Sequence, residues 1–135
     1  MLYHDKQYSD PEASAGHLKR GNIMDPKLSS DLLRGHTDTI VLGILWRGDK
    51  YGFEIYKTIL EKTDEEYELK ETTLYSSYKR LEKEGYITAY WGDETLGGRR
   101  KYYHITEKGK KLYMQNKKDW AFTQKILNSL LEESK

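Results

Sequence analysis

The chain has 135 residues and a formal net charge of +1, which leaves room for one domain with an appendage and does not announce a polyanion binder. The absence of cysteine excludes disulfides, thiolate zinc sites and cysteine nucleophiles, and fits a reducing cytoplasm. No apolar run approaches the roughly 20 residues of a membrane span, and residues 1–23 lack the apolar centre of a signal peptide.

The distribution of charge says more than its total. Residues 49–71 hold eight acids against four lysines, a local net of −4. Residues 99–118 hold eight cations against Glu107 alone, a local net of +7. A near-neutral chain thus carries a basic segment, and local fields steer a polyanion.

In chain order, residues 1–24 are polar, with scattered Tyr, Ser and Gly and no helical or strand period. They are expected to be a flexible arm or an appended leader. Met24 followed by Asp25 and Pro26 looks like a natural start, and Asp-Pro suits the cap and first turn of a helix carrying Leu28, Leu32 and Leu33. After Gly35, residues 40–46 (IVLGILW) are apolar nearly all round, which predicts a buried core helix too short to cross a membrane. Arg47, Gly48 and Asp49 make a turn. Residues 51–62 predict a second helix, with Tyr51, Ile55 and Ile59 on one face, Tyr56 and Leu60 beside it, and Gly52 marking either a close helix contact or a frayed first turn. In the acidic link over 63–71, Tyr67-Glu68-Leu69 reads as a one-rung strand.

Residues 72–85 (TTLYSSYKRLEKEG) predict the helix that the rest serves. At about 100° per residue, Leu74, Tyr78 and Leu81 share one side. Thr72, Ser76, Lys79 and Lys83 lie opposite, flanked by Thr73, Tyr75 and Arg80. One face suits a core. The other offers the hydroxyls and cations that phosphates and base edges want. The solvated face of an ordinary amphipathic helix has the same pattern, so the stretch does not decide by itself. Gly85 stops the helix through a left-handed cap.

Beyond Gly85 the period falls to two. Ile87, Ala89 and Trp91 alternate with Thr88 and Tyr90, which predicts a strand. Residues 92–98 carry turn chemistry, and 101–105 predict a second strand, giving a β-hairpin with Arg99, Arg100 and Lys101 near its tip. Thr106 can cap a long helix over about 107–132. On that helix Tyr113, Trp120, Thr123, Leu127 and Leu131 form a stripe edged by Leu112 and Leu130, while Phe122 and Ile126 lie off it. Two apolar faces on a terminal helix ask for a partner helix from a second copy. Three helices followed by a basic hairpin is the order of a winged helix-turn-helix: an α+β fold, mainly α, with a long C-terminal dimerisation helix. The expected division is 1–24 as arm or leader, 25–105 as DNA-binding domain and 106–135 as dimerisation helix. Arginines at the wing suit phosphates or a narrow minor groove.

Residues 73–112, TLYSSYKRLEKEGYITAYWGDETLGGRRKYYHITEKGKKL, resemble the PadR family of bacterial transcriptional regulators. The shared pattern is a TLY…RLE…G recognition helix, a GGR-(R/P)-(R/K)-YY hairpin and a T-x-x-G-x-x-L helix start. Tyr51-Gly52-Phe53-Glu54-Ile55 matches the family's second helix. The likeness runs from about residue 28 to the end and fits the smaller branch with a single C-terminal helix. It implies a homodimeric repressor that binds an inverted-repeat operator and leaves it when a small molecule binds. It also implies that Trp120 stacks on planar aromatic effectors at the dimer interface; the same residue serves equally as interface packing. Gln124 occupies the region where some members place an acid for cationic ligands.

The residues expected nearest DNA are Thr72, Thr73, Tyr75, Ser76 and Lys79, with Arg80 and Lys83 on its backbone and Arg99, Arg100 and Lys101 from the wing. Leu74, Tyr78, Leu81, Trp91 and Tyr103 are expected in the core, and Tyr102 fits either face. An enzyme is a poor rival. His4, His17, His36 and His104 have no metal or triad spacing, and Gly92, Gly97 and Gly98 lack a phosphate-loop ending. No cofactor is expected. The alternatives are another ligand-responsive winged-helix family, or a winged helix used for protein contacts alone.

Overall fold

A helix that is apolar all round has to be surrounded, and the architecture follows from that requirement. The computed structural model describes residues 33–93 and 98–132, which belong to one compact unit. The expected arm of 1–24, the helix start at Asp25 and Pro26 with Leu28 and Leu32, and Gly97 of the hairpin turn lie outside the described residues. After a single 3-10 turn, Arg34–His36, the apolar run forms α1, Thr37–Trp46, and buries Val41, Leu42, Ile44 and Leu45. Around it stand α2, Gly52–Lys62, and α3, Glu71–Lys83. Ile55 and Ile59 of α2 and Leu74, Tyr78 and Leu81 of α3 close the core, as their helical spacing predicts.

The hairpin is β2, Ile87–Trp91, with β3, Lys101–Ile105, antiparallel in the register Ile87 to Ile105 and Trp91 to Lys101. A third strand, β1, is only Lys50–Tyr51 and pairs with β3, so the order is β1-β3-β2. This corrects the expectation of a strand at Tyr67-Glu68-Leu69, which has no strand pairing. Leu69 is buried there, and Glu68 accepts a 2.6 Å hydrogen bond from the Tyr56 hydroxyl, so the segment is anchored by its side chains. Two residues are too few to show alternation, which is why β1 left no mark on the pattern.

Tyr78 sits at the centre of the assembly. Its hydroxyl donates to the Gly52 carbonyl at 2.9 Å, and its ring meets those of Tyr75 and Tyr103 at 4.9 and 4.8 Å. The Tyr75 hydroxyl fills the space that a side chain at Gly52 would need, which is the close helix contact expected of that glycine.

The end of α3 and the start of the last helix, α4 (Glu107–Leu131), are built on each other. Gly85 is left-handed at φ +84, with its N–H on the Glu82 carbonyl at 3.1 Å and that of Tyr86 on Leu81 at 2.9 Å. These are the two bonds of a Schellman cap. The Thr106 hydroxyl donates to the Gly85 carbonyl at 2.8 Å, with the Tyr86 carbonyl at 3.0 Å, and accepts from the Gly109 N–H at 3.0 Å. Lys108 Nζ donates to the Glu84 carbonyl at 2.7 Å, a cation at the negative end of α3. Gly109 lies so close to Tyr86 that a Cβ would come 2.1 Å from its carbonyl oxygen.

The first half of α4 packs on α1. The Tyr113 ring lies over Gly43 and 5.3 Å from Trp46, and Asn116 Nδ2 donates to Thr39 Oγ1 at 2.8 Å. From residue 117 onward every described residue of α4 is exposed. Among the described residues no helix is long and apolar enough to cross a membrane.

Gly109→Ala should therefore destabilise the fold by about 1–3 kcal/mol, the usual cost of forcing atoms into a filled space. Gly35→Ala, where nothing lies within 4 Å of the added carbon, should leave the urea midpoint unchanged. Equal midpoints for both variants would contradict the packing of α4 on Tyr86.

Candidate nucleic-acid interface

Burying Leu74, Ser77, Tyr78 and Leu81 fixes the roll of α3. Its other side then faces water as one strip, with Thr72, Thr73, Tyr75, Ser76, Lys79, Arg80 and Lys83 all exposed. Among the described residues no hydrogen bond or ion pair engages Lys79 or Lys83, and their charges are available to a ligand.

Arg80 differs. Asp38 in the first turn of α1 accepts from Arg80 Nε at 3.1 Å and from Nη2 at 2.6 Å, a bidentate pair, and takes the Ser77 hydroxyl at 2.6 Å as well. The guanidinium that the sequence assigns to DNA thus braces α3 against α1, with much of its charge offset. Tyr75 is also partly engaged, since its hydroxyl and one side of its ring cover Gly52, while the residue stays 42% exposed. Burial, and then the charge of Glu71, raise the pKa of the Tyr75 hydroxyl. Burial, followed by Glu82 and Tyr75, pushes that of Tyr103 up to about 12. Both stay neutral donors at physiological pH.

The three adjacent cations of the wing go three ways. Arg99 lies over the Trp91 ring, 5.7 Å from its centroid. Arg100 lies over Tyr51 at 4.7 Å. Lys101 reaches Glu82 of α3 at 3.7 Å and lies over Tyr103 at 5.7 Å. All three are exposed, so the wing presents cations on both of its faces. Tyr102 takes the outer face of the sheet, stacked on Tyr90 at 5.6 Å and edge-on to Tyr51 at 5.5 Å. Trp91 is 57% exposed, which corrects its placement in the core.

Sequence reading missed the acids that hold this surface. Asp38 positions Arg80 and Ser77. Asp49 accepts from the Tyr90 hydroxyl at 2.7 Å and lies 2.8 Å from His104 Nδ1, tying the turn before β1 to both strands of the wing. Burial alone would raise the Asp49 pKa, but the hydrogen bonds from Tyr90 and His104 and the charge of His104 outweigh it and hold the carboxyl below its usual value. A depressed carboxylate pKa means that the tether stabilises the fold above the ordinary carboxylate range and loses that contribution only in acid.

On α4, Trp120 is 43% exposed and meets the His36 ring edge-on at 4.9 Å. Thr123, Leu127, Leu130 and Leu131 are exposed, Leu112 is half-buried, and Tyr113 is taken up by the chain's own α1. Among the described residues no three His, Asp or Glu side chains converge to hold a metal ion.

Residues 41–115, which contain α3, the wing and the start of α4, match the transcriptional regulator PadR-like family. An uncharacterized protein of Lysinibacillus sphaericus is 43% identical over 103 residues, covering 76% of this chain and 94% of that protein. A transcriptional regulator from Clostridium thermocellum is 52% identical and superposes with a TM-score of 0.72 over 78% of this chain and 99% of its own. A PadR family transcription regulator from Clostridium difficile is 40% identical, with a TM-score of 0.64 over 72% of this chain and 99% of its own. This protein accordingly belongs to the PadR-like family and is a DNA-binding transcriptional regulator, not an enzyme.

Proposed function

We propose that the protein is a homodimeric, ligand-responsive repressor that acts in the cytoplasm on an inverted-repeat operator. The observation that carries this reading is the strip of α3 from Thr72 to Lys83, exposed over its polar side and flanked by the cations of the wing. Residues 25–105 supply the DNA-binding part, with Thr72, Thr73, Ser76 and Lys79 entering the major groove, Lys83 on the backbone, and Arg99, Arg100 and Lys101 beside it. Tyr75 contributes the part of its side chain that Gly52 leaves exposed. Arg80 sits at the rim and acts mainly through Asp38.

Residues 106–135 pair two copies. Leu130 and Leu131 are 72% and 76% exposed, and a run of leucines in water on a helix that projects from its own core favours a second helix as cover. A two-fold dimer places two α3 helices on successive turns of a duplex, which is why the operator would be an inverted repeat. Trp120, half open beside His36, offers a flat surface near that seam for a planar aromatic effector.

Lys79→Ala and Arg100→Ala should each flatten the log–log salt dependence of duplex binding by about one unit, the signature of one lost phosphate contact. Arg80→Ala should leave the slope nearly unchanged and lower the melting temperature instead. Unaltered slopes in the first two variants would remove those residues from the DNA backbone. Leu127→Glu combined with Leu131→Glu should give a folded monomer by sedimentation, and a dimer that survives both charges would refute pairing through this face. A flat polycyclic dye should quench tryptophan emission in the wild type and lose both quenching and affinity in Trp120→Ala. Retained dye affinity there would leave Trp120 to packing alone.

A further inference from the structure

We propose that Trp91 contacts DNA directly, its indole packing on the sugar–phosphate backbone beside the groove that α3 enters. The inference rests on the DNA-binding reading above and adds to it a residue whose sequence pattern belongs to the core. The alternation that suggested the core is real. Trp91 shares a sheet face with Ile87 and Ala89, and its cross-strand neighbour Lys101 shares that face with Tyr103 and Ile105. Along this face burial fades toward the wing, from the fully buried Ile87 through the half-buried Ala89 to the exposed Trp91. The core simply ends before the strand does.

Lys101 fixes which face of the wing carries the indole. Its ammonium reaches Glu82 in the last turns of α3, so the face carrying Lys101 and Trp91 is the one turned toward the recognition helix. Beyond the end of the core, Trp91 stands exposed on that face.

The chemistry around the ring selects the occupant. The other exposed tryptophans are partnered within the chain, Trp46 by Tyr113 and Lys110 and Trp120 by His36. Among the described residues no aromatic ring packs on Trp91, and Arg99 lies over its face. An open indole with a guanidinium on it asks for a ligand that is anionic and also has apolar surface. A nucleic-acid backbone supplies both in alternation, phosphate oxygen for Arg99 and deoxyribose carbon for the ring, with the indole N–H free to donate to a phosphate. Such a contact reads no base, and it acts on any sequence.

The test labels the three tryptophans of the full chain with 5-fluorotryptophan and follows them by fluorine NMR while a short mixed-sequence duplex is added at low salt. Trp91→Phe identifies its resonance by loss. The Trp91 resonance should shift on adding duplex, and the Trp46 resonance should not. Trp91→Ala should weaken duplex binding by about fivefold or more, the order expected when the partial burial of an aromatic side chain is lost. The salt slope should hold in Trp91→Ala, because no charge is removed, and flatten by about one unit in Arg99→Ala. Duplex binding by fluorescence anisotropy with a stationary Trp91 resonance and wild-type affinity in Trp91→Ala would overturn the proposal while leaving the DNA-binding reading intact. A resonance that moves with protein concentration alone would assign the indole to contacts between copies, and would also overturn it. No binding of any duplex by the wild type would defeat the DNA-binding reading itself.

Discussion

The junction between α3 and α4 is the constraint on which the rest depends. The Gly85 and Tyr86 carbonyls that end one helix are the acceptors on which Thr106 starts the other, and the close approach of Gly109 leaves no room for the two to slide. A helix terminus normally leaves several backbone groups for water. Here the two termini satisfy each other, and Lys108 adds a cation to the last turn of α3. The result is a rigid corner. Wherever α4 points, the exposed strip of α3 points at a fixed angle to it.

What was legible in the sequence was what local chemistry dictates. Leu74, Tyr78 and Leu81 repeat at helical spacing, Gly85 takes a left-handed cap and Thr106 caps α4, and each of these needs only its near neighbours in the chain. What was not legible depends on distance. Arg80 reads as a free cation because its partner Asp38 is 42 residues away. Trp91 reads as core because alternation tells which face a residue takes and nothing about where the core under that face stops. Tyr113 joins the apolar stripe of α4 by its period, yet Gly43 on another helix takes it up. The two-residue β1 is below the length at which any period exists.

Charge teaches the same lesson on a finer scale. A net of +7 over residues 99–118 identified the basic segment but not its division of labour. In the fold, Arg99 and Arg100 lie over aromatic rings on opposite sides of the wing, Lys101 reaches back to α3, and Lys110 and Lys117 lie over Trp46 and Tyr113 away from it. Rings hold cations without neutralising them. Carboxylates neutralise, and here they sit where geometry needs bracing: Asp38 between α1 and α3, and Asp49 between the β1 turn and the wing. The acids therefore shape the reading surface, and the ring under Arg99 holds that cation on the wing without cancelling its charge.

The two halves of α4 complete this division. Up to Asn116 the helix is part of its own domain, tied to α1 through Tyr113 and Asn116. Beyond that point, apart from Trp120 against His36, it presents apolar side chains to water. If a second copy covers them, the corner at Gly85 and Gly109 makes each α3 a rigid extension of its own α4, and the angle at which the two helices cross sets the separation of the two reading strips. On the proposed ligand-responsive reading, a ligand at Trp120 would need no path through the core to reach the DNA surface. It would have only to change that crossing angle, since a small rotation there, carried along α4 and around a stiff corner, would move the strips off the spacing of one helical turn of DNA.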